Sequence, residues 1–200
     1  MENRKELTNE LIAESLKELT MSVPFEKITI RMITERAGVI RPTFYYHFQD
    51  KYETLEWIVR NQLLKDVGAL FDDGRFDDSI RLVFERISAE MDFYRRAFMI
   101  SGQNSFRDIF TDEVYRLLKT RLGEKIRQYE KDIPLLSNDM VARYYAVNIV
   151  SFAEGWLFGQ QSGASARDMA DAYIYLLRHS YPNLFGKNDR YGRKEQVQPK

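Results

Sequence analysis

Two short helical patterns separated by a glycine constrain this chain more than any other feature of its sequence. Thr29 belongs to the residue types that cap helix N-termini. Ile30, Ile33 and Ala37 follow it at helical spacing. The pattern predicts a helix from about Ile30 to Ala37 with its apolar side inward, and Gly38 is expected to end it.

A second short helix is predicted to begin at Arg41-Pro42, because proline is preorganised for the first helical turn and has no N–H donor to leave unpaired there. Its buried stripe is expected to consist of Ile40, Phe44 and Phe48. Two helices joined by a turn of about three to four residues that contains glycine are typical of a helix-turn-helix. Such a motif places its second helix in the major groove of DNA.

The same residues resemble the N-terminal DNA-binding domain of the TetR/AcrR transcriptional regulators. The matching elements are Thr29, Ile33, Ala37-Gly38-Val39, Thr43-Phe44-Tyr45-Tyr46-His47-Phe48 and Lys51. They cover roughly the first quarter of the chain. One position departs from the family pattern: Ile40 stands where many members have serine or another polar residue, so the second helix lacks its usual side-chain cap.

The resemblance implies an all-α homodimer, with an N-terminal three-helix DNA-binding domain and a larger helical domain for dimerisation and ligand binding. The expected boundaries are residues 1–50 and 51–185, and the polar residues 186–200 are expected to form a disordered tail. Helical spacing dominates the second domain. It predicts one long helix from about Lys51 to Leu70 and another from about Asn138 to Gln161.

The candidate DNA contacts surround the second helix: Thr29, Arg31, Arg41, Pro42, Thr43, Tyr45, Tyr46, His47 and Lys51. The arginines are expected to read bases, since a guanidinium pairs bidentately with guanine O6 and N7, and Pro42 can contact a thymine methyl group. The tyrosines, His47 and Lys51 suit phosphate contacts. The resemblance assigns Thr29 and Thr43 the same role.

Each of these contacts has a simpler alternative. Either arginine could be a solvated surface charge. One tyrosine could be a packing residue, but neighbouring helical residues point about 100 degrees apart, so at least one of the pair is exposed.

The charge distribution favours a small, local DNA contact over bulk electrostatic attraction. The formal net charge is zero. Between residues 27 and 51 the acidic residues are Glu35 and Asp50, whereas the basic residues are Lys27, Arg31, Arg36, Arg41 and Lys51. Such clustering is typical of a phosphate-contacting surface.

Small residues recur every four positions in the predicted helix from Asn138 to Gln161 and just beyond it: Ser151, Gly155, Gly159 and Gly163. Glycine within a helix costs about 0.8 to 1 kcal/mol relative to alanine, so this line needs a packing reason. Close approach of another helix provides one. The resemblance implies that these residues lie at the dimer interface, and the alternative is a helix of the same subunit.

Aromatic and amide residues of the C-terminal domain are candidate effector contacts: Phe98, Tyr145, Asn148, Phe152 and Trp156. Mostly apolar walls with a few polar anchors are typical of small-molecule pockets, so an apolar or aromatic effector is expected. Core packing explains most of these residues equally well.

The first expectation is therefore a homodimeric repressor that a small-molecule effector releases from a palindromic operator. The stretch from Phe93-Tyr94 to Gln103-Asn104-Ser105-Phe106 also resembles a Gram-positive branch of the family that includes the activator of dihydroxyacetone kinase operons, where a protein partner supplies the signal. The alternatives are such an activator, an architectural DNA-binding protein without an effector, and an enzyme that contains a helix-turn-helix-like segment.

The sequence argues against an enzyme, a metalloprotein and a membrane protein. It has no cysteine, and its histidines, His47 and His179, lack metal-ligand spacing. The acidic loop at residues 72–78 lacks the glutamate that completes an EF-hand, and no nucleotide-binding or nucleophile-elbow motif occurs. No catalytic residue, metal or cofactor is expected. The charged N-terminus and the lack of an apolar run of about 18 residues indicate a cytoplasmic protein with no membrane partner.

Overall fold

The computed structural model describes residues 2–130, 133, 136–159, 161 and 163–179. All regular structure within these residues is helical, which confirms the all-α prediction. The α-helices are α1 (Glu2–Thr20), α2 (Ile30–Ala37), α3 (Arg41–His47), α4 (Lys51–Ile58), α5 (Val67–Asp72), α6 (Phe76–Ala89), α7 (Met91–Phe98), α8 (Phe106–Glu130), α9 (Asn138–Phe158) and α10 (Ala166–Arg178). The expected tail at 186–200 lies outside the described residues. No helix in the described part of the chain is long and apolar enough to cross a membrane.

The first three helices form a compact N-terminal unit, and α4 closes its core. Ile12 and Leu16 of α1, Ile33 of α2, Phe44 of α3 and Leu55 of α4 are all fully buried together. The predicted bounds of α2 and α3 agree with the structure.

The long helix predicted from Lys51 to Leu70 is wrong, because the chain turns a corner within it. After α4 the backbone forms a π-helical turn at Val59–Leu63, and Asp66 has a φ of +63°, a left-handed conformation that non-glycine residues rarely adopt. Arg86 of α6 holds this corner: Nη1 donates to the Leu63 carbonyl (3.1 Å) and Nη2 to Asp66 Oδ2 (3.2 Å). The corner lets α5 pack on α6.

The C-terminal helices pack α8 along α9 and α10 on α6. Phe84 of α6 lies at their centre, in ring contact with Phe152, Trp156 and Tyr173. The helix predicted to reach Gln161 ends earlier, at Phe158. Buried apolar residues form one continuous cluster from α1 to α10, so the core has no gap at residue 50.

Two ion pairs join the N-terminal unit to the other helices. Lys17 of α1 is 7% exposed, and its Nζ lies 2.6 Å from Oε1 of Glu90 at the corner between α6 and α7. Arg60, just after α4, makes a bidentate pair with the buried Glu113 of α8, at 2.7 and 2.8 Å. Each pair crosses between helices far apart in the sequence.

Candidate nucleic-acid interface

Local backbone features set the angle between α2 and α3. The Thr29 hydroxyl accepts the Met32 N–H at 3.2 Å and caps α2. Gly38 ends α2 with a φ of +66°, where a side chain would strain the backbone. The amide of Val39 then donates to the Thr34 carbonyl (3.0 Å) before α3 begins. The predicted cap and turn are therefore present.

Buried phenylalanines anchor α3 to the core. Phe44 is fully buried and Phe48 nearly so, with ring centroids 6.0 Å apart. The prediction that Ile40 belongs to this buried stripe is wrong, since its side chain is 68% exposed. Ile40 has extended backbone angles as the N-cap residue, so it does not follow the helical spacing that places Phe44 inward.

The outer face of α3 presents Arg41, Pro42, Tyr45 and Tyr46 to solvent. Both tyrosines are exposed, which excludes a core role for either. The Arg41 guanidinium lies 6.0 Å from the Tyr45 ring centre, and its Nη2 is 3.4 Å from the Tyr45 hydroxyl. This pairing holds Arg41 along the helix with other N–H donors available to a base or phosphate.

The N-terminal end of α1 lies beside the last turn of α3. The His47 imidazole donates from Nδ1 to Asn9 Oδ1 at 2.6 Å, and the Lys5 ammonium lies 5.9 Å from the Tyr46 ring centre. Burial lowers the pKa of His47 from its ordinary 6.5, and the charge of Lys5 lowers it further. His47 is therefore held in its neutral form, with Nε2 as an acceptor, at neutral pH.

Two other predicted contacts are Arg31 of α2 and Thr43 of α3. Arg31 is exposed, but its Nε is paired with Glu35 Oε1 at 2.7 Å, one helical turn away. A phosphate or base would compete with this exposed pair, which is worth little in water. Thr43 is half-buried, and its amide donates to the Ile40 carbonyl (3.0 Å).

The predicted phosphate contact by Lys51 does not match the surroundings of its ammonium. Nζ donates to the carbonyls of Phe25 (2.6 Å), Glu26 (3.2 Å) and Ile28 (2.9 Å), and lies 4.6 Å from the Phe25 ring centre. Burial lowers its pKa. All three N–H donors of an ammonium are thus used to hold the turn that precedes α2.

Sequence reasoning missed two residues of this surface, Ile40 and Lys5. For Ile40 the available indication was its position just before the predicted helix start. An N-cap residue has non-helical backbone angles, so it does not follow the helical spacing of the buried stripe. The position of Lys5 depends on how α1 crosses α3, and spacing within either helix gives no indication of it.

Comparison with known proteins agrees with this geometry. The family described as "Bacterial regulatory proteins, tetR family" matches residues 12–56, from within α1 to within α4, and so includes the whole helix-turn-helix. The chain carries a TetR-family DNA-binding domain.

Relatives of similar length support this assignment. The HTH-type dhaKLM operon transcriptional activator DhaS of Lactococcus lactis subsp. lactis (strain IL1403) is 24% identical over 143 residues, 72% of this chain and 75% of that protein. A solved structure of the dihydroxyacetone kinase operon activator DhaS has a TM-score of 0.58 and 24% identity, covering 86% of this chain and 94% of that one. A TetR transcriptional regulator from Streptococcus agalactiae 2603V has a TM-score of 0.56 and 19% identity, covering 88% and 96%.

These comparisons confirm the predicted family, including the resemblance to the branch with the dihydroxyacetone kinase operon activator. The solved structures show a shared fold. The similar proteins are transcriptional regulators of this family rather than enzymes.

The C-terminal domain of this TetR-family chain contains an apolar cavity of about 470 Å³ between α5, α6, α8, α9 and α10. Of the predicted effector residues, only Tyr145 lines it. Phe98 packs on Phe106 (5.1 Å between ring centres), and the Trp156 indole donates to the Ala164 carbonyl (3.1 Å). These two residues pack in the core and do not line this cavity.

The remaining two predicted effector residues also have other roles. Phe152 packs against Tyr173, with ring centres 5.1 Å apart. Asn148 donates from Nδ2 to the Tyr144 carbonyl (2.7 Å), one turn back in α9, so its amide is paired within its own helix.

Of the predicted line of small residues, only Ser151 and Gly155 lie within α9. A Cβ added at Gly155 would meet no atom within 4 Å outside its own helix backbone, so no helix of the described chain packs there. Gly159 lies past the end of α9, where a Cβ would collide with the Gly155 carbonyl, and Gly163 lies in the following turn. Ser151 and Gly155 remain as small residues on a partly exposed helix face.

Proposed function

We propose that this regulator is a homodimer that binds a palindromic operator through α3, acts as a repressor in the cytoplasm, and leaves the DNA when a small apolar molecule enters its C-terminal cavity. The outer face of α3 carries this proposal. Its exposed Arg41, Tyr45 and Tyr46 stand on an anchor of buried Phe44 and Phe48. A recognition helix fixed in this way presents a rigid surface to the major groove.

Dimerisation is supported by an apolar stripe along α9. Exposed or partly exposed residues recur there at intervals of three or four: Met140, Tyr144, Val147, Ser151, Gly155 and Phe158. Tyr175 and Leu176 of α10 are also large and exposed. An exposed apolar surface with small residues near its centre suits a second copy of the same helices. One α3 reads few bases, and twofold pairing doubles them.

The cavity supports control by a small molecule and disfavours an architectural protein without an effector. Its volume of about 470 Å³ lies within the range of about 300 to 1,000 Å³ that is usual for ligand sites. α6 provides part of its wall, and Glu90 at the end of α6 pairs with Lys17 of α1 in the N-terminal unit. A ligand that favours one position of α6 would therefore change the placement of α3.

A transcriptional activator is the second candidate, because the similar protein of Lactococcus lactis is named an operon activator. Binding to the operator is common to both candidates. Whether the bound protein represses or activates transcription depends on where the operator lies relative to the promoter. It also depends on whether the ligand-free or the ligand-bound protein binds DNA.

DNase footprinting of the protein on the DNA upstream of its own gene tests the proposal. We expect protection of a palindrome whose half-sites lie about one helical turn, or a multiple of it, apart. Unselective coating of all DNA would instead indicate an architectural protein, and no binding at moderate salt would refute the DNA-binding proposal. Transcription in vitro from the same fragment then separates repression from activation.

A further inference from the structure

We propose that the C-terminal cavity binds an amphipathic carboxylate, with its apolar chain inside the cavity and its carboxylate on Arg178 at the mouth. This inference adds a ligand class to the effector site of the proposed function. Ligand binding is measured without DNA, so the two proposals can fail separately.

The interior of the cavity suits a hydrocarbon chain. Its walls include Leu64 just before α5, Val67 at the start of α5, Ile80 of α6, Leu118 of α8 and Ile174 of α10. Aliphatic walls bind through the apolar area that they remove from water and offer little to a polar group. The lining also includes the hydroxyl groups of Ser79, Tyr145 and Tyr173, but its charged residues are Asp77 and Arg178, so a charged head group finds its partner there.

The mouth carries one ion pair, between Arg178 at the end of α10 and Asp77 in the first turn of α6. A single nitrogen of Arg178, Nη2, lies 2.7 Å from both carboxylate oxygens of Asp77. Among the described residues, Nε and Nη1 of Arg178 have no hydrogen-bond partner. Asp77 fixes the position of the guanidinium and leaves these other donors unused.

This arrangement favours an anionic head group over a cationic one. A carboxylate accepts charge-assisted hydrogen bonds from a guanidinium, and the N–H groups on Nε and Nη1 remain available for one. A cationic head group would have to share the Asp77 oxygens with a guanidinium that already occupies both, against like-charge repulsion. A neutral head group would gain no charge-assisted hydrogen bond.

Three probes with the same ten-carbon chain test this inference on the full-length protein: decanoate, decanol and decylamine. Isothermal titration calorimetry near pH 7.5, below the micelle concentrations, measures each affinity. We expect decanoate to bind most tightly, about tenfold more tightly than decanol, a ratio that corresponds to about 1.4 kcal/mol. Decylamine should bind most weakly.

Three variants locate the site. Arg178→Gln should reduce decanoate affinity to that of decanol and leave decanol unchanged. Asp77→Asn keeps the guanidinium, removes the competing negative charge and should bind decanoate at least as tightly as wild type. Leu118→Trp fills the cavity and should weaken all three probes alike. This last variant excludes adsorption to the exposed apolar surface of α9.

Several outcomes would overturn the inference. Tighter binding of decylamine than of decanoate would assign the head group to Asp77. Equal decanoate affinity in Arg178→Gln and wild type would remove the arginine from the site. If no probe binds while the protein still protects its operator, the ligand class is wrong and the DNA-binding function stands.

Discussion

The exposed side chain of Ile40 lies at the start of α3, beside Arg41 and Pro42. Residues at the N-terminus of a recognition helix contact base edges, and an aliphatic side chain there matches the C5-methyl group of thymine. An isoleucine so exposed in the free protein would be covered in the complex. Ile40 is therefore expected to read thymine, next to a guanine read by Arg41.

Replacing an operator thymine by deoxyuridine, which removes only the methyl group, tests this role of Ile40. At one position in a single half-site the replacement should weaken wild-type binding about fourfold, since a buried methyl or methylene contributes about 0.8 kcal/mol. Ile40→Ala should bind both DNAs nearly equally in gel-shift titrations. Met21→Ala, which changes an exposed apolar residue outside α3, should keep the wild-type difference. If no thymine shows this difference, Ile40 does not contact the bases.

Lys51→Met should lower the stability of the fold rather than the salt dependence of DNA binding. The variant keeps the aliphatic stem but removes the ammonium donor from the carbonyls of Glu26 and Ile28 and leaves Phe25 with only the Ile28 N–H, at a cost of about 1 to 3 kcal/mol in the free energy of unfolding. Urea denaturation measures this change, and Lys27→Met, at an exposed neighbouring position, is the control. Unchanged stability together with a flatter dependence of binding on salt would restore Lys51 as a phosphate contact.

His47 should make stability depend on pH. Its folded pKa is lowered below 6.5 by burial and by Lys5, so the unfolded chain binds the proton more readily. The free energy of unfolding should therefore fall as pH decreases through about 6.5. His47→Gln should reduce this fall in denaturation experiments at about pH 7.5 and 5.5. Lys5→Gln should reduce it less, because its charge is the smaller cause. Identical pH profiles for all three proteins would contradict this assignment.

Whole helices were predictable wherever their ends depend on local chemistry. The bounds of α2 and α3 follow from Thr29, the left-handed Gly38 and Pro42, which act within a few residues of their own position. The corner that follows α4 depends instead on Arg86, whose partners Leu63 and Asp66 lie 23 and 20 residues before it. The spacing of apolar residues within one helix carries no information about such a contact. The predicted helix from Lys51 to Leu70 was therefore too long.

The surroundings of the candidate site residues were likewise predictable only where they depend on spacing within one helix. Exposure of at least one of Tyr45 and Tyr46 follows from the position of the buried Phe44 on the same helix, and it was predicted; the exposure of both was not. The acceptors of Lys51 lie 23 to 26 residues away, and the cavity forms between five helices. An aromatic residue such as Trp156 has the same sequence pattern in a core as beside a ligand, and only the packing of α9 on its neighbours distinguishes the two.

The open space beside Gly155 on α9 gives a test of dimerisation. Gly155→Leu should weaken the dimer by about 1 to 3 kcal/mol, because bulk is added where two helices are expected to meet. Gly155→Ala should instead raise helix stability by about 0.8 to 1 kcal/mol, unless the partner approaches too closely for a methyl group. Sedimentation velocity measures the dimer, and Gly163→Leu, beyond the helix and in open space, is the control. An intact dimer in Gly155→Leu would place the interface elsewhere.

For the molecule as a whole, the continuous core makes the DNA-binding unit and the C-terminal domain one folding unit. The buried cluster runs from α1 to α10, and the pair between Arg60 and Glu113 ties the end of α4 to α8. Glu113 is only 4% exposed and also pairs with Arg116 of its own helix, and separating the domains would break its bidentate pair with Arg60. In this arrangement, a movement of the helices around the cavity would displace α3 through packed side chains, with no flexible linker between the two domains.

The chain's two tryptophans test this unity, since Trp57 lies in α4 and Trp156 in α9. Trp57→Phe and Trp156→Phe each leave one fluorescent probe, and helix content measured by circular dichroism gives a reference within the same variant. In both variants the fluorescence and dichroism midpoints of urea denaturation should coincide, because one cooperative unit unfolds. The midpoints should also rise with protein concentration, since dimerisation stabilises the folded chain by mass action, and Gly155→Leu should remove that rise. An earlier midpoint for Trp57 than for helix content would mean that the DNA-binding unit unfolds alone, and a ligand in the cavity would then need another route to α3.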